Sequence, residues 1–303
     1  MAYSVLVIGF GSIGKRHSEI LSSMDEITNV TILSAQDNLP YKTLSSLEDI
    51  HQLNPDYIVI ASPTNRHYNE LKFLEEHFDG KKILVEKPLF DSMIDFQVLN
   101  NEVYVGYNLR FHPLINKVRS LCLNRKFWSM NVFCGSYLPD WRPGSDYRLT
   151  SSAQKICGGG VLLDLSHELD YVQWLVGSLE VEYASSKKIS DLEIDSDDFL
   201  LFTGRSQQCE YVHISLNYLT RTPVRQIILD GDSISLKADL ITKTLQATVD
   251  SEKLDYSWPN LDRNETYCAQ HLSLIGGNKE NLCTFQEGLR TMQLIDNIRK
   301  WAN

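Results

Sequence analysis

Apolar positions in the first third of the chain follow two alternating rhythms. Short apolar runs at Tyr3 to Ile8, Val30 to Leu33, Asp56 to Ala61, Ile83 to Val85 and Val103 to Val105 read as strands. Between them, Ile13, His17, Ile20, Leu21 and Met24 recur at helical spacing, as do Tyr68, Leu71, Leu74 and Phe78, which Gly80 closes. Leu44, Leu47 and Ile50 suggest a further helix. Strands alternating with helices imply parallel pairing through crossover connections. The connection from Pro88 to Glu102 is short for a full crossover helix.

After Asn108 the pattern changes to period two. Alternating runs at Ser129 to Cys134, Phe199 to Thr203, Glu210 to Leu219, Val224 to Leu229, Ser233 to Lys237 and Leu245 to Val249 predict a mostly antiparallel or mixed sheet, with Gly231-Asp232 as a hairpin turn. Two helices interrupt it. One starts near Gly160, carries Leu163, His167, Asp170, Tyr171 and Trp174, and stops at Gly177. The other closes the chain, with Phe285, Leu289, Met292, Ile295 and Ile298 on one face. There is no internal repeat, low-complexity tract or flexible linker. The expected organisation is α/β throughout: residues 1–108 with a parallel sheet, and 109–303 as an α/β domain with a mostly antiparallel open sheet.

Composition narrows the function classes. The 303 residues carry a formal net charge of −10, which repels phosphate backbones and argues against a nucleic-acid partner. No apolar stretch reaches the ~20 residues that span a bilayer, and Met1 to Phe10 has no basic segment before a long apolar run, so neither a membrane span nor a signal peptide is expected. Six cysteines, scattered and without a C-x-x-C pair, argue against a disulfide framework or zinc site, and a reducing cytoplasm is the expected location.

Three blocks carry candidate chemistry. Gly9-Phe10-Gly11-Ser12-Ile13-Gly14 is a G-x-G-x-x-G sequence between a predicted strand and a predicted helix, the context of a dinucleotide-binding Rossmann turn. Gly9 permits the tight turn, Gly11 lets a pyrophosphate approach the backbone, and Gly14 brings helix and strand together. The acidic residue that NAD-binding versions carry ~20 residues on is replaced here by Ser34, so NAD and NADP both remain candidates. Ser62-Pro63-Thr64-Asn65 with His67 ends the third strand, where ligands of open α/β sheets bind; Thr64 and Asn65 can equally cap the next helix. Glu86-Lys87-Pro88 ends the fourth strand and points a lysine toward the same crevice, where it suits acid–base work. Gly158-Gly159-Gly160 opens a helix on which Asp164 and His167, three apart, share a face and can relay protons. Asp164, His167, Glu168 and Asp170 are also possible metal ligands, but no second cluster completes a coordination sphere, so no metal is assigned. Trp141, Arg142, Tyr147 and Arg148 combine aromatic faces with cations, a set that suits a sugar ring bearing an anionic group.

Together with Gly106-Tyr107-Asn108-Leu109-Arg110-Phe111-His112-Pro113, these blocks resemble the glucose–fructose oxidoreductase and inositol dehydrogenase family in order and approximate spacing over the first 177 residues. The resemblance implies a Rossmann domain followed by an α/β domain whose open sheet serves oligomerisation, hence a homodimer or homotetramer. It implies NAD or NADP as cofactor, and a sugar or related small molecule oxidised or reduced. Lys87 matches the catalytic lysine and His167 the proton-relay histidine. Asp164 matches the family's aspartate, although many members place it four residues before the histidine. The cofactor side would comprise Gly9, Gly11, Ser12, Ile13, Gly14, Ser34, Ser62, Pro63, Thr64, Asn65, His67, Glu86 and Lys87. The substrate side would comprise Tyr107, Arg110, His112, Trp141, Arg142, Tyr147, Arg148, Asp164 and His167. The stretch from Tyr137 to Arg148 looks like a branch associated with surface-carbohydrate synthesis. Two other classes stay open: a non-catalytic dinucleotide sensor, and an interaction subunit that keeps the fold.

Overall fold

A computed structural model describes residues 2–302. Chain contacts divide it into two compact units. One takes the residues up to Phe111 together with Asp262–Leu289; the other takes His112–Leu261 and the residues from Arg290 onward.

The first unit is built on a seven-stranded sheet. Its strands are β1 (Tyr3–Ile8), β2 (Ile27–Leu33), β3 (Lys42–Leu44), β4 (Tyr57–Ile60), β5 (Lys82–Val85), β6 (Glu102–Val105) and β15 (Cys283–Thr284). The spatial order is β15-β6-β5-β4-β1-β2-β3; only β15 pairs antiparallel, with β6. Helices α1 (Ser12–Ser22), α2 (Ile50–Leu53), α3 (His67–His77) and α7 (Arg263–Gly276) also belong to this unit. Val5 to Ile8, Tyr57 to Ile60 and Ile83 to Val85 are fully buried, as strands covered on both faces must be. That is why they read as unbroken apolar runs.

One expectation changes here. Leu44 is not helical: β3 pairs in parallel with β2, Leu33 opposite Leu44, and the Leu44 carbonyl accepts the Ser34 N–H at 3.1 Å. Asp49 then accepts the Ser46 N–H at 3.1 Å in a turn, and the helix starts only at Ile50. Between β5 and β6, residues 86–101 form no helix or strand, although the two strands run parallel.

The second unit centres on an eight-stranded sheet. Its strands are β7 (Phe127–Gly135), β8 (Glu180–Lys187), β9 (Phe199–Arg205), β10 (Cys209–Asn217), β11 (Val224–Gly231), β12 (Ile234–Asp239), β13 (Thr244–Val249) and β14 (Glu252–Ser257). They lie in the order β14-β13-β12-β11-β7-β10-β9-β8, antiparallel except where β7 meets β10. The hairpin forms with Gly231 opposite Ile234, so Asp232 and Ser233 make the turn. Helices α4 (Pro113–Cys122), α5 (Val161–Asp164) and α6 (Ser166–Val176) belong to this unit, and the last boundary between units falls inside α8 (Phe285–Ala302). On the other face of the sheet Phe133, Leu201, Tyr211 and Ile228 are exposed.

Candidate functional site

The glycine block sits at the carboxyl end of β1, as its pattern predicts. Gly9 has φ +94°, and a Cβ there would lie 2.7 Å from the Ser62 Cα. A Cβ on Gly14 would overlap the Gly9 carbonyl oxygen. These two glycines therefore close the turn against the neighbouring strand. Gly11 differs: its φ of −73° suits any residue, and a Cβ there would meet nothing within 4 Å. Gly11 and Ser12 are exposed, Ile13 packs against the core, and the N-terminus of α1 has neither a side-chain cap nor an acidic residue in its first turn. The first N–H groups of an 11-residue helix thus face open space beside a glycine, an arrangement that fits a pyrophosphate. Ser34 follows the last residue of β2, and its hydroxyl accepts the Gln36 N–H at 3.1 Å. Gln36 Nε2 in turn donates to the Phe10 carbonyl at 3.2 Å, tying this loop to the glycine loop.

The loops after β4 and β5 are joined by His67. Its Nε2 lies 3.0 Å from the Ser62 carbonyl oxygen, and its Nδ1 lies 3.1 Å from that of Pro88. Burial lowers the His67 pKa despite these carbonyls. The Ser62 hydroxyl donates to Glu70 at 2.5 Å, whose pKa desolvation raises. Pro63 and Asn65 are exposed and Thr64 half-buried. A 3-10 turn over Thr64–Arg66 precedes α3, so the residue at the α3 N-cap position is Arg66 and not Thr64 or Asn65. Lys87 is half-buried and joined to Pro88 by a cis peptide bond. The Glu86 side chain is buried, with Oε2 accepting the Lys87 N–H at 3.1 Å and Oε1 2.8 Å from His17 Nε2.

Tyr107 and Arg110 are buried in the same unit, and Arg110 pairs with Glu287 at 3.1 Å. That pairing lowers the Glu287 pKa against the opposing effect of burial.

In the second unit, His112 caps α4, its Nδ1 accepting the Leu114 N–H at 3.1 Å. Burial first, then the charges of Arg225 and Lys243, push its pKa down to about 4. Two of the three glycines are required by close packing. A Cβ on Gly159 would overlap the Ser151 carbonyl and one on Gly160 the Asp197 carboxylate, which accepts the Leu162 N–H at 2.9 Å. Asp164 and His167 do not share one helix: α5 ends at Asp164, and Leu165, at φ −97° and ψ 26°, breaks the path before α6. The expectation of one helix carrying both residues is corrected by that break.

Asp164 meets Tyr218, whose hydroxyl donates to Oδ2 at 2.7 Å. Tyr218 is fully buried, which raises its pKa and keeps the hydroxyl a donor. The Trp141 ring packs edge-on against Tyr218 at 5.1 Å between centroids, and its Nε1 donates to the Ser136 hydroxyl at 2.8 Å. Trp141, Arg142 and Tyr147 line a shallow groove with Leu138 and Thr150. Arg148 is engaged elsewhere, by Asp146 at 2.8 Å and Glu193 at 3.2 Å. Sequence reading missed Tyr218 as well as the partners of Glu86 and Arg110. Nothing local marks them, because each is completed by a residue far along the chain.

Comparison with known proteins bears on this geometry. The model of an oxidoreductase family with an NAD-binding Rossmann fold matches residues 3–102, and that family's C-terminal α/β domain matches residues 148–303. No curated protein sequence matches the chain. Among solved structures, levoglucosan dehydrogenase in complex with NADH and levoglucosan superposes with a TM-score of 0.83 at 18% identity, over 100% of this chain and 97% of that one. The WlbA dehydrogenase from Bordetella pertussis, in complex with NADH and UDP-GlcNAcA, gives 0.79 at 18% identity, over 100% and 97%. UDP-N-acetylglucosamine 3-dehydrogenase GnnA from Acidithiobacillus ferrooxidans gives 0.76 at 16% identity, over 99% and 97%. At these identities the likeness is one of fold.

Proposed function

We propose, for a chain that belongs to the Gfo/Idh/MocA oxidoreductase family, that it transfers hydride between NAD(H) or NADP(H) and a hydroxyl or carbonyl carbon of a sugar derivative. The observation that carries this reading is the junction of three strand-end loops: an open glycine turn at the start of α1, and His67 tying the loop after β4 to the one that bears Lys87. Ligands of such sheets sit at the carboxyl ends of their strands.

Residues 9–14 would hold the pyrophosphate, with Ser34 beside the ribose. The nicotinamide, when bound, supplies the hydride chemistry. Lys87 holds the substrate oxygen and stabilises the charge that grows on it. His167 exchanges the proton, and Asp164, oriented by Tyr218, acts with it. Trp141, Arg142 and Tyr147 receive the sugar, with Arg142 gripping an anionic substituent. Known structures of this fold include enzymes crystallised with an anhydrosugar and with a nucleotide sugar acid, which supports a sugar and leaves surface-carbohydrate synthesis as the finer reading. The exposed apolar face of the second unit's sheet supports a homodimer or homotetramer, and a cytoplasmic setting completes the proposal.

The test is a screen of sugars and nucleotide sugars with NAD, NADP and their reduced forms, followed by cofactor absorbance, with Lys87→Met as control. Turnover that Lys87→Met abolishes supports the reading. A folded protein that binds NADH tightly yet turns over no sugar in either direction would favour a dinucleotide sensor instead.

A further inference from the structure

Four buried polar side chains of the first unit form one continuous hydrogen-bonded chain. Tyr57 from β4 lies 2.7 Å from His271 Nδ1 on α7. His271 Nε2 lies 2.9 Å from His17 Nδ1 on α1. His17 Nε2 lies 2.8 Å from Glu86 Oε1, at the end of β5. Tyr57, His17 and His271 are fully buried and Glu86 is 6% exposed. An unpaired polar group at such depth costs ~1–3 kcal/mol, so a chain of four persists only if every member is satisfied.

With both imidazoles neutral, the groups allow one direction. A carboxylate only accepts, so His17 presents Nε2–H to Glu86 and is left with a lone pair on Nδ1. His271 must then donate from Nε2, which leaves its own Nδ1 as acceptor. Tyr57 completes the chain by donating its hydroxyl. Burial raises the Tyr57 pKa and lowers that of His271, so both stay neutral in the order this direction requires. The other oxygen of Glu86 accepts the Lys87 N–H.

We infer that Glu86 is a positioning residue for Lys87, held in place through His17 and His271 by a one-way hydrogen-bonded chain that starts at Tyr57. His17 lies on α1, the helix of the glycine loop, so the chain ties that helix to the strand end bearing Lys87. The inference rests on the proposed role of Lys87 for its functional meaning, but its geometry is tested without any substrate.

Long-range 1H–15N correlation on 15N-histidine-labelled protein reads the tautomers, with signals assigned from His17→Gln and His271→Gln. Both imidazoles should be neutral Nε2–H tautomers at pH 7; an Nδ1–H form or a doubly protonated ring at either position overturns the chain. Amide exchange at Lys87 then tests positioning. His17→Leu removes the donor and should speed that exchange at least tenfold, whereas His17→Gln keeps an N–H toward Glu86 and should restore most of the protection. Unchanged Lys87 exchange in a folded His17→Leu protein, or equal loss in both variants, overturns the positioning role. These outcomes are separate from the fate of the reaction, which Lys87→Met decides.

Discussion

Gly11 and Gly14 belong to one motif but should fail in opposite ways. A Cβ at Gly14 overlaps the Gly9 carbonyl oxygen, so Gly14→Ala must push α1 away from its turn. Overpacking of this kind costs about 1–3 kcal/mol, or several degrees of melting temperature for a domain of this size. A Cβ at Gly11 meets no atom within 4 Å, and φ −73° is open to alanine. Gly11→Ala should therefore cost under about 1 kcal/mol, the penalty of a poorer N-cap. Its methyl would occupy the space a pyrophosphate needs to reach the α1 N–H groups. Losing two charge-assisted hydrogen bonds at about 1.5–3 kcal/mol each weakens binding by roughly 10²–10⁴. Thermal melts of both variants, with and without NADH, separate the cases. Parent Gly11→Ala stability with the NADH-induced upshift gone is the expected result. A Gly11→Ala protein that binds NADH with parental affinity in calorimetry would show that no pyrophosphate lies over residue 11.

Other perturbations probe the remaining parts. Lys87→Met should leave NADH binding intact and lower kcat by roughly 10²–10⁴, read as single-turnover hydride transfer with the screened sugar. Ser34→Asp should turn a cofactor preference within about tenfold, or ~1.4 kcal/mol, into a clear preference for NAD, measured as the ratio of Kd values. Arg142→Ala should raise KM for an anionic sugar more than for a neutral one. Arg148→Ala should act on stability instead, because its guanidinium is held by Asp146 and Glu193. His112 titrates near 6.5 when unfolded but near 4 when folded, so its contribution is complete above pH 6.5 and is lost as pH falls from there toward 4, up to about 3 kcal/mol. His112→Asn keeps an acceptor for the Leu114 N–H, and its urea midpoint should fall less than the parent's between pH 7 and pH 5.

Fold class was legible because the strands of the first unit are covered on both faces and those of the second on one, which produces two different apolar rhythms. The elements that escaped were those whose pattern is not set by burial. Strands β8 and β14 are the edges of their sheet, and few of their side chains are buried. Helix α7 carries apolar and polar residues with little contrast. Its start was nonetheless written in the chain: Asp262 and Glu265 form a capping box, three residues apart and unread. Leu44, Leu47 and Ile50 show the opposite error, a helical spacing that strand pairing at β3 overrides.

Candidate chemistry was legible wherever backbone geometry demanded it. Gly9, Gly14 and Pro88 mark turns that few other residues can make, so the loops bearing the proposed cofactor site stand out in a single sequence. What those loops rest on does not stand out. Asp164 is paired 54 residues away by Tyr218, and His17 meets His271 across 254 positions. A histidine on an apolar helix face gives no sign of which nitrogen it shares or with what. The separation has a structural consequence. The first unit takes α7 from beyond the second unit, and α7 brings His271 to His17 and Tyr57. A fragment ending at residue 108 would keep every glycine of the motif and still leave His17 and Tyr57 without the imidazole between them. The same loss would take Leu274 and Ile275 out of the core they share with Val5, Tyr57 and Leu84 and leave that apolar surface to water. The dinucleotide half therefore depends on chain far outside the stretch that carries its motif.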